Sequence, residues 1–231
     1  MGYHRDTAFI KDVQLAGISV ITFDVGGTLI EPWPSVGHVY AEVARNQGAR
    51  DISPEILNHR FLSAWRSQNG FSYTRTAWAT IVDETFRGLT SRPPSETFFP
   101  TLYERFAQAN AWRIFDDVEP TLAELARRGI KLGVISNWDE RLRPLLEALG
   151  LAKYFSFIVV SCEAGGTKPS PTIFQKAVAL CGVSPIEILH VGDSMEWDVI
   201  GARAAGFKAV QIRRDRKPAM AGELRSLAEL L

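Results

Sequence analysis

The apolar run ISVITF ends on Asp24, and the loop DVGGTLI opens there. A carboxylate at the tip of a strand, followed by two glycines and a threonine, is poorly suited to packing. It suits a nucleophile whose neighbours bring backbone N–H groups close to an anion. Asp24 is therefore a candidate nucleophile, with Gly27 and Thr28 as candidates for holding the substrate. Three later segments match it in kind and order: VISN ending at Ser136 and Asn137, GGTKPSP around Lys168, and HVGDSMEWD with Asp193 and Asp198. Each has a plainer reading. Lys168-Pro169 could enter a helix, Asp193 could cap one, Asp198 could sit on a solvated face, and Ser136 and Asn137 could form a turn. Four such segments, each after an apolar run, favour chemistry over coincidence.

These residues need a scaffold, and the flanking segments supply one. GISVITF, KLGVISN, FSFIVVS, EILHVGD and FKAVQIR read as strands that barely alternate in polarity, with amphipathic helices between them. That pattern predicts an α/β fold: a Rossmann-like parallel sheet of five strands, with edge additions allowed, and helices on both faces. Every motif falls just after a strand's C-terminal end, where open α/β sheets place ligands. The core is expected over 18–31 and 113–231. Residues 32–112 show no good strand signal and read as helices around 35–47, 54–68, 74–89 and 95–109. A segment of that length is too long for a simple connection and predicts an inserted all-α cap domain. Its many aromatics read mainly as the core of that insertion. Residues 71–78, with Tyr73, Arg75 and Trp78, are the stretch expected to reach a substrate, if any does. Residues 1–17 read as an N-terminal extension, and IRRDRKP at 212–218 as a solvated, charge-rich turn. His190 reads as a core histidine. His38, in the first inserted helix, is the one histidine expected near a cleft.

Composition narrows the classes. Lys and Arg number 26, as do Asp and Glu, so the net charge is zero and gives no support for nucleic acid or membrane binding. Two cysteines without pairing signals, no signal-peptide pattern and no long apolar span predict a cytoplasmic location.

On ISNWDERL, EAGGTKPSPTIF and GDSMEWDV, together with DVGGTLI, the chain resembles the haloacid dehalogenase superfamily from Ile18 to about Ile212. That resemblance implies a helical cap after the first motif and a hydrolase acting through Asp24. Asp193 and Asp198 would join Asp24 around Mg²⁺, a hard cation that takes oxygen ligands, with Asp198 either on the ion or beside it. The resemblance adds the backbone carbonyl of Gly26 as a further ligand. Without a cation, the crowded carboxylates would raise one another's pKa. Lys168 would offset part of that charge and hold the phosphoryl group, while Ser136 and Asn137 would bond its oxygens.

One position departs from the pattern. Phosphatases of the superfamily carry a second aspartate two residues after the nucleophile, as acid and then base, and here that residue is Gly26. L-2-haloacid dehalogenases also lack it, but they dispense with the metal and with the Gly-Asp pair present here as Gly192-Asp193. Phosphonatases need a cap lysine, and residues 32–112 contain none. The expectation is a Mg²⁺-dependent hydrolase of a small phosphorylated metabolite, slowed by Gly26. The alternatives are a carbon–halide hydrolase and a catalytically weak phosphate-binding module. Should Gly26 not limit turnover, Glu163 or Asp139 would have to serve as the acid–base.

Overall fold

The computed structural model describes residues 15–49, 51–68, 70–215 and 222–231. Residues 1–14 of the extension and 216–218 of the charge-rich turn lie outside them. In chain order the elements are β1 (Val20–Phe23), β2 (Ile30–Pro32), α1 (Val36–Asn46), α2 (Pro54–Arg66), α3 (Arg75–Phe86), α4 (Phe99–Arg105), β3 (Trp112–Ile114) and α5 (Val118–Arg127). There follow β4 (Lys131–Ser136), α6 (Leu142–Ala148), β5 (Phe157–Val160), α7 (Ser161–Ala164), α8 (Pro171–Cys181), β6 (Ile188–Gly192), a π-helical turn (Met195–Ile200), α9 (Gly201–Ala204), β7 (Lys208–Ile212) and β8 (Glu223–Leu224).

They group into two compact units. The first comprises the chain to Leu29, Phe115–Asn137 and Leu151–Leu231. Its sheet runs β5-β4-β1-β6-β7-β8, parallel throughout, so the five expected strands are present and β8 is the edge addition. From β1 the chain steps to β4 and β5 on one side, then returns to β6, β7 and β8 on the other. Right-handed crossovers therefore put the connecting helices of the two halves on opposite faces. A crevice opens at such a switch point, outside the C-terminal ends of the strands that flank β1. The strands are sealed: β1 and β6 are buried at every residue.

The turn after β6 departs from expectation. The strand–helix alternation implies a regular helix between EILHVGD and FKAVQIR, yet Met195–Ile200 is wound as a π-helix before α9 begins. Both Asp198 N–H (3.0 Å) and Val199 N–H (3.2 Å) reach Ser194 O, and Asp198 is almost wholly buried instead of solvated. Such bulges re-aim a side chain without ending the helix.

The charge-rich turn is also not simply solvated. Arg214 grips both carboxylate oxygens of Asp117 (2.7 and 2.8 Å), stacks over Phe115 and donates to Thr28 O at 2.7 Å. Asp117 also accepts from Ser226 Oγ and Leu227 N–H. Partial burial would raise its pKa, but these donors hold it below the usual carboxylate range. The node ties the end of the nucleophile loop to the C-terminal segment.

The second unit comprises Ile30–Ile114 and Trp138–Gly150. Three of the four expected helices appear as α1, α2 and α3. The fourth shrinks to a 3₁₀ turn at Pro94–Glu96 and α4, because Pro100 fits only the first turn of a helix and so starts α4 afresh. Sequence reading also missed the antiparallel ribbon of β2 and β3 at the ends of the insertion. Three residues per strand are too few for a periodic signal. Tyr40, Phe86, Phe98, Phe99 and Tyr103 are buried together as this unit's core. Tyr73 packs against Trp65, Phe71 and Trp78 with φ at +56°, the left-handed region that non-glycine residues seldom adopt.

Candidate active site

Asp24 follows β1, Ser136 ends β4 and Asp193 follows β6, so three adjacent strands deliver their polar tips to one place. Asp24 N–H is held by Val191 O at 2.9 Å, fixing the start of the loop to β6. Its Oδ1 accepts from Ser136 Oγ (2.9 Å) and Lys168 Nζ (2.6 Å). Oδ2 accepts no hydrogen bond among the described residues. One oxygen is pinned and the other carries no such bond.

Lys168 is buried and its ammonium bridges Asp24 Oδ1 to Asp198 Oδ1, the latter at 2.5 Å. Burial alone would strip its proton, but the two carboxylates hold it charged, well above the ordinary lysine range. Asp198 feels the converse. Burial pushes its carboxyl up, yet Lys168 and the hydrogen bond from His190 hold it far below the usual range. Asp24 has its pKa raised, because burial and the charge of Asp198 outweigh Lys168 and Ser136.

Two glycines make the cluster possible. A Cβ on Gly192 would lie 2.1 Å from Asp198 Cγ, so this carboxylate fills the space where a side chain would stand. Gly27 has φ at +75°, and a Cβ there would come within 2.5 Å of Asp193 Oδ2. The loop can approach Asp193 only because residue 27 has no side chain. One oxygen each from Asp24, Asp193 and Asp198 lies within 4.8 Å of the others. Asp193 is the exposed member. Crowding by protein, then the charges of Asp24 and Asp198, push its pKa up to about 7. Because its side chain keeps solvent access, the two facing charges are the firmer cause. Three carboxylates against one ammonium leave an excess of negative charge that a hard divalent cation would neutralise.

A family model for haloacid dehalogenase-like hydrolases matches residues 18–206. The chain belongs to this hydrolase family. It is 36% identical over 201 residues to human haloacid dehalogenase-like hydrolase domain-containing protein 3, covering 82% of this chain and 80% of that protein. It is 39% identical over 226 residues to the phosphoserine phosphatase of Thermus thermophilus, covering 87% and 91%. The solved structure of the HAD phosphatase from Thermococcus onnurineus matches with a TM-score of 0.66 and 26% identity, over 92% of this chain and 96% of that one.

Within this haloacid dehalogenase-like framework some residues stand elsewhere than the sequence suggested. Asn137 turns both ends of its amide to the Lys168 backbone, Oδ1 accepting from N–H at 2.6 Å and Nδ2 donating to the carbonyl at 3.0 Å. In this arrangement its amide positions the lysine backbone. Thr28 is fully buried, with a hydroxyl that finds no protein partner, and belongs to the packing under the loop. Asp139 is fully buried in the second unit. Arg141 grips it through Nε (2.8 Å), Nη2 (2.6 Å) and its own N–H (3.1 Å), and Trp78 Nε1 donates at 2.8 Å. With both oxygens so engaged, Asp139 is a structural anchor and not an acid–base. Glu163 is exposed on α7, and Arg75 lies 5.1 Å over the Tyr103 ring within the helical unit. His38 is exposed and bonds to Ser35, the cap of its own helix, at 2.8 Å. Sequence reasoning placed His190 in the core, where it is, but missed that it touches Asp198. The signal was available, since Thr22 and His190 are polar residues inside otherwise apolar strands.

Proposed function

We propose that the chain is a Mg²⁺-dependent phosphatase of small phosphorylated metabolites, acting through an aspartyl-phosphate on Asp24. The observation that carries this reading is the asymmetry of Asp24, with Oδ1 fixed by Ser136 and Lys168, Oδ2 accepting no hydrogen bond among the described residues, and two more carboxylates beside the residue. Asp24, Asp193 and the Gly26 carbonyl would hold the cation, with Asp198 anchoring Lys168. When bound, Mg²⁺ supplies charge neutralisation for carboxylates and phosphoryl oxygens crowded together. Asp24 Oδ2 attacks phosphorus, the bond to the leaving oxygen breaks, and the phosphoryl group passes to the aspartate. Lys168 stays protonated throughout and offsets the negative charge that the phosphoryl oxygens bring. Water then cleaves the acyl phosphate and restores Asp24. Backbone N–H groups around Gly27 are suited to the incoming anion. The inserted helical unit is assigned the choice of substrate. Among the described residues no helix is long and apolar enough to cross a membrane.

Gly26 favours one other reading, carbon–halide hydrolysis, because a halide departs without a proton. The acidic cluster weighs against it, since cation-free chemistry would leave three carboxylates, Asp24, Asp193 and Asp198, against the single ammonium of Lys168. A panel of phosphate esters and 2-haloacids, assayed with Mg²⁺ and with EDTA, separates the readings. Phosphate release that EDTA abolishes supports the phosphatase, and halide release that survives EDTA would replace it. Phosphate binding without release of either product would leave a binding module.

The raised pKa of Asp193 gives a pH signature. Its folded value, about 7, lies above the unfolded carboxylate value, so the metal-free protein loses stability as pH rises from about 4 to about 7. Mg²⁺ needs the ionised form and must expel that proton. Calorimetry in buffers of different ionisation enthalpy should show Mg²⁺ affinity rising up to about pH 7 with proton release, then levelling off. Asp193→Asn should remove both the affinity and the proton release. Equal Mg²⁺ affinity in that variant would take the metal out of the mechanism.

A further inference from the structure

β1 and β6 pair in parallel with Thr22 directly beside His190, and both side chains are fully buried. Thr22 Oγ1 lies 2.9 Å from His190 Nδ1, and His190 Nε2 lies 3.1 Å from Asp198 Oδ1. The edge of Phe174 closes the ring in at a centroid distance of 5.7 Å. Asp198 Oδ1 thus takes two donors, His190 and Lys168, while Oδ2 accepts from Ser194 N–H at 2.9 Å. An ionised carboxylate can only accept, so Nε2 must carry the ring proton. With the ring neutral, the Thr22 hydroxyl donates to Nδ1. One tautomer satisfies every group in the row, an assignment made from the hydrogen-bond network.

We propose that Thr22 and His190 are positioning residues for Lys168. The threonine fixes the tautomer, and the histidine holds the Asp198 carboxylate at the angle that pulls Lys168 Nζ against Asp24 Oδ1. A row therefore runs from Thr22 through His190, Asp198 and Lys168 to the nucleophile. Among the described residues Asp198 has no further side-chain hydrogen bond: it rests on a π-helical turn above a glycine, and without the imidazole Lys168 and one N–H would orient it. The inference deepens the phosphatase reading and rests on it for the turnover readout alone.

The test compares His190→Phe, which keeps an aromatic ring beside Phe174 but donates nothing, with His190→Gln, whose amide can still donate. Turnover of p-nitrophenyl phosphate, the affinity for inorganic phosphate by calorimetry, thermal melting, and ¹⁵N NMR of the His190 ring are measured. In wild type the ring should show Nε2 protonated and Nδ1 bare. His190→Phe should lower kcat by about 10–100-fold and weaken phosphate binding, as loss of a residue that orients a site group typically does. His190→Gln should recover most of both. Unaltered kcat and phosphate affinity in His190→Phe, equal losses in the two variants, or a ring protonated at Nδ1 would overturn the proposal. Should His190→Phe fail to fold, Thr22→Val replaces it. A several-fold fall in kcat with a disturbed tautomer supports the row, and neither change sinks it. If wild type hydrolyses no phosphate ester, the phosphatase reading fails. The ring tautomer and phosphate affinity still decide the role of His190.

Discussion

Replacing Lys168 with methionine should both silence the protein and loosen it. The ammonium sits 2.6 and 2.5 Å from two carboxylates, and all three side chains are almost wholly buried. Methionine keeps the length and the apolar stem but leaves Asp24 and Asp198 facing each other without a counter-charge. Removing one partner of a buried ion pair typically costs about 3–5 kcal/mol, which in a chain of this size lowers Tm by about 6–20 °C. The sign with pH is diagnostic. In wild type, Asp198 has a depressed pKa, so its pairing stabilises the fold at neutral pH and that contribution is lost toward acid. In Lys168→Met the carboxylates lose the ammonium that favours their charged forms, their folded pKa values rise, and the deficit should shrink as pH falls and they protonate. A melting series from pH 4 to 8 on both proteins checks this. Turnover should fall by about 10³-fold or more, since the group that offsets the phosphoryl charge is gone. A variant that melts like wild type at pH 7.5 would mean that Lys168 is not bridged in solution.

The sequence carried much of this arrangement, for a physical reason. Strands buried on both faces must be continuously apolar, so the positions where ISVITF, KLGVISN and EILHVGD break into polar residues mark the tips, and the tips carry the chemistry. Glycines that admit a neighbouring carboxylate, Gly27 and Gly192, are visible as letters, although only geometry shows that the space each leaves is filled by Asp193 and Asp198. What sequence did not give depends on long-range contact. Asn137 spends its amide on a lysine 31 residues away, and no local pattern distinguishes that from binding a ligand. Asp139 looked available as an acid because Arg141 and Trp78 are not known to converge until the chain is folded. The grouping of Trp138–Gly150 with the inserted helices, directly after a strand of the sheet, has no compositional trace at all. The π-turn is equally silent: MEWDVI reads as an ordinary helix, and only the burial of Asp198 requires the extra residue in the turn.

Gly26 is where the largest gain is expected. Gly27, not Gly26, is the left-handed residue of the loop, so an aspartate at position 26 meets no penalty from positive φ. Gly26 is also only half-buried. In wild type the first step should survive with p-nitrophenyl phosphate, whose leaving group departs with little protonation. With glycine at position 26 the second step lacks the carboxylate that the superfamily pattern places there to activate water, so the aspartyl-phosphate should accumulate and appear as a burst of nitrophenol followed by slow turnover. Gly26→Asp should abolish the burst and raise steady-state turnover by about 10²–10⁴-fold, the usual worth of general acid–base help. Alkyl phosphates sharpen the test, because their leaving groups need the proton in the first step as well. Wild type should be poor on them and Gly26→Asp should gain most there. Rapid steady turnover of alkyl phosphates by wild type, with no burst, would show that another group already supplies the proton. Asp139 is removed as that group by its contacts with Arg141 and Trp78. Of the two carboxylates nearest the motifs in sequence, Glu163 would then be the one to mutate.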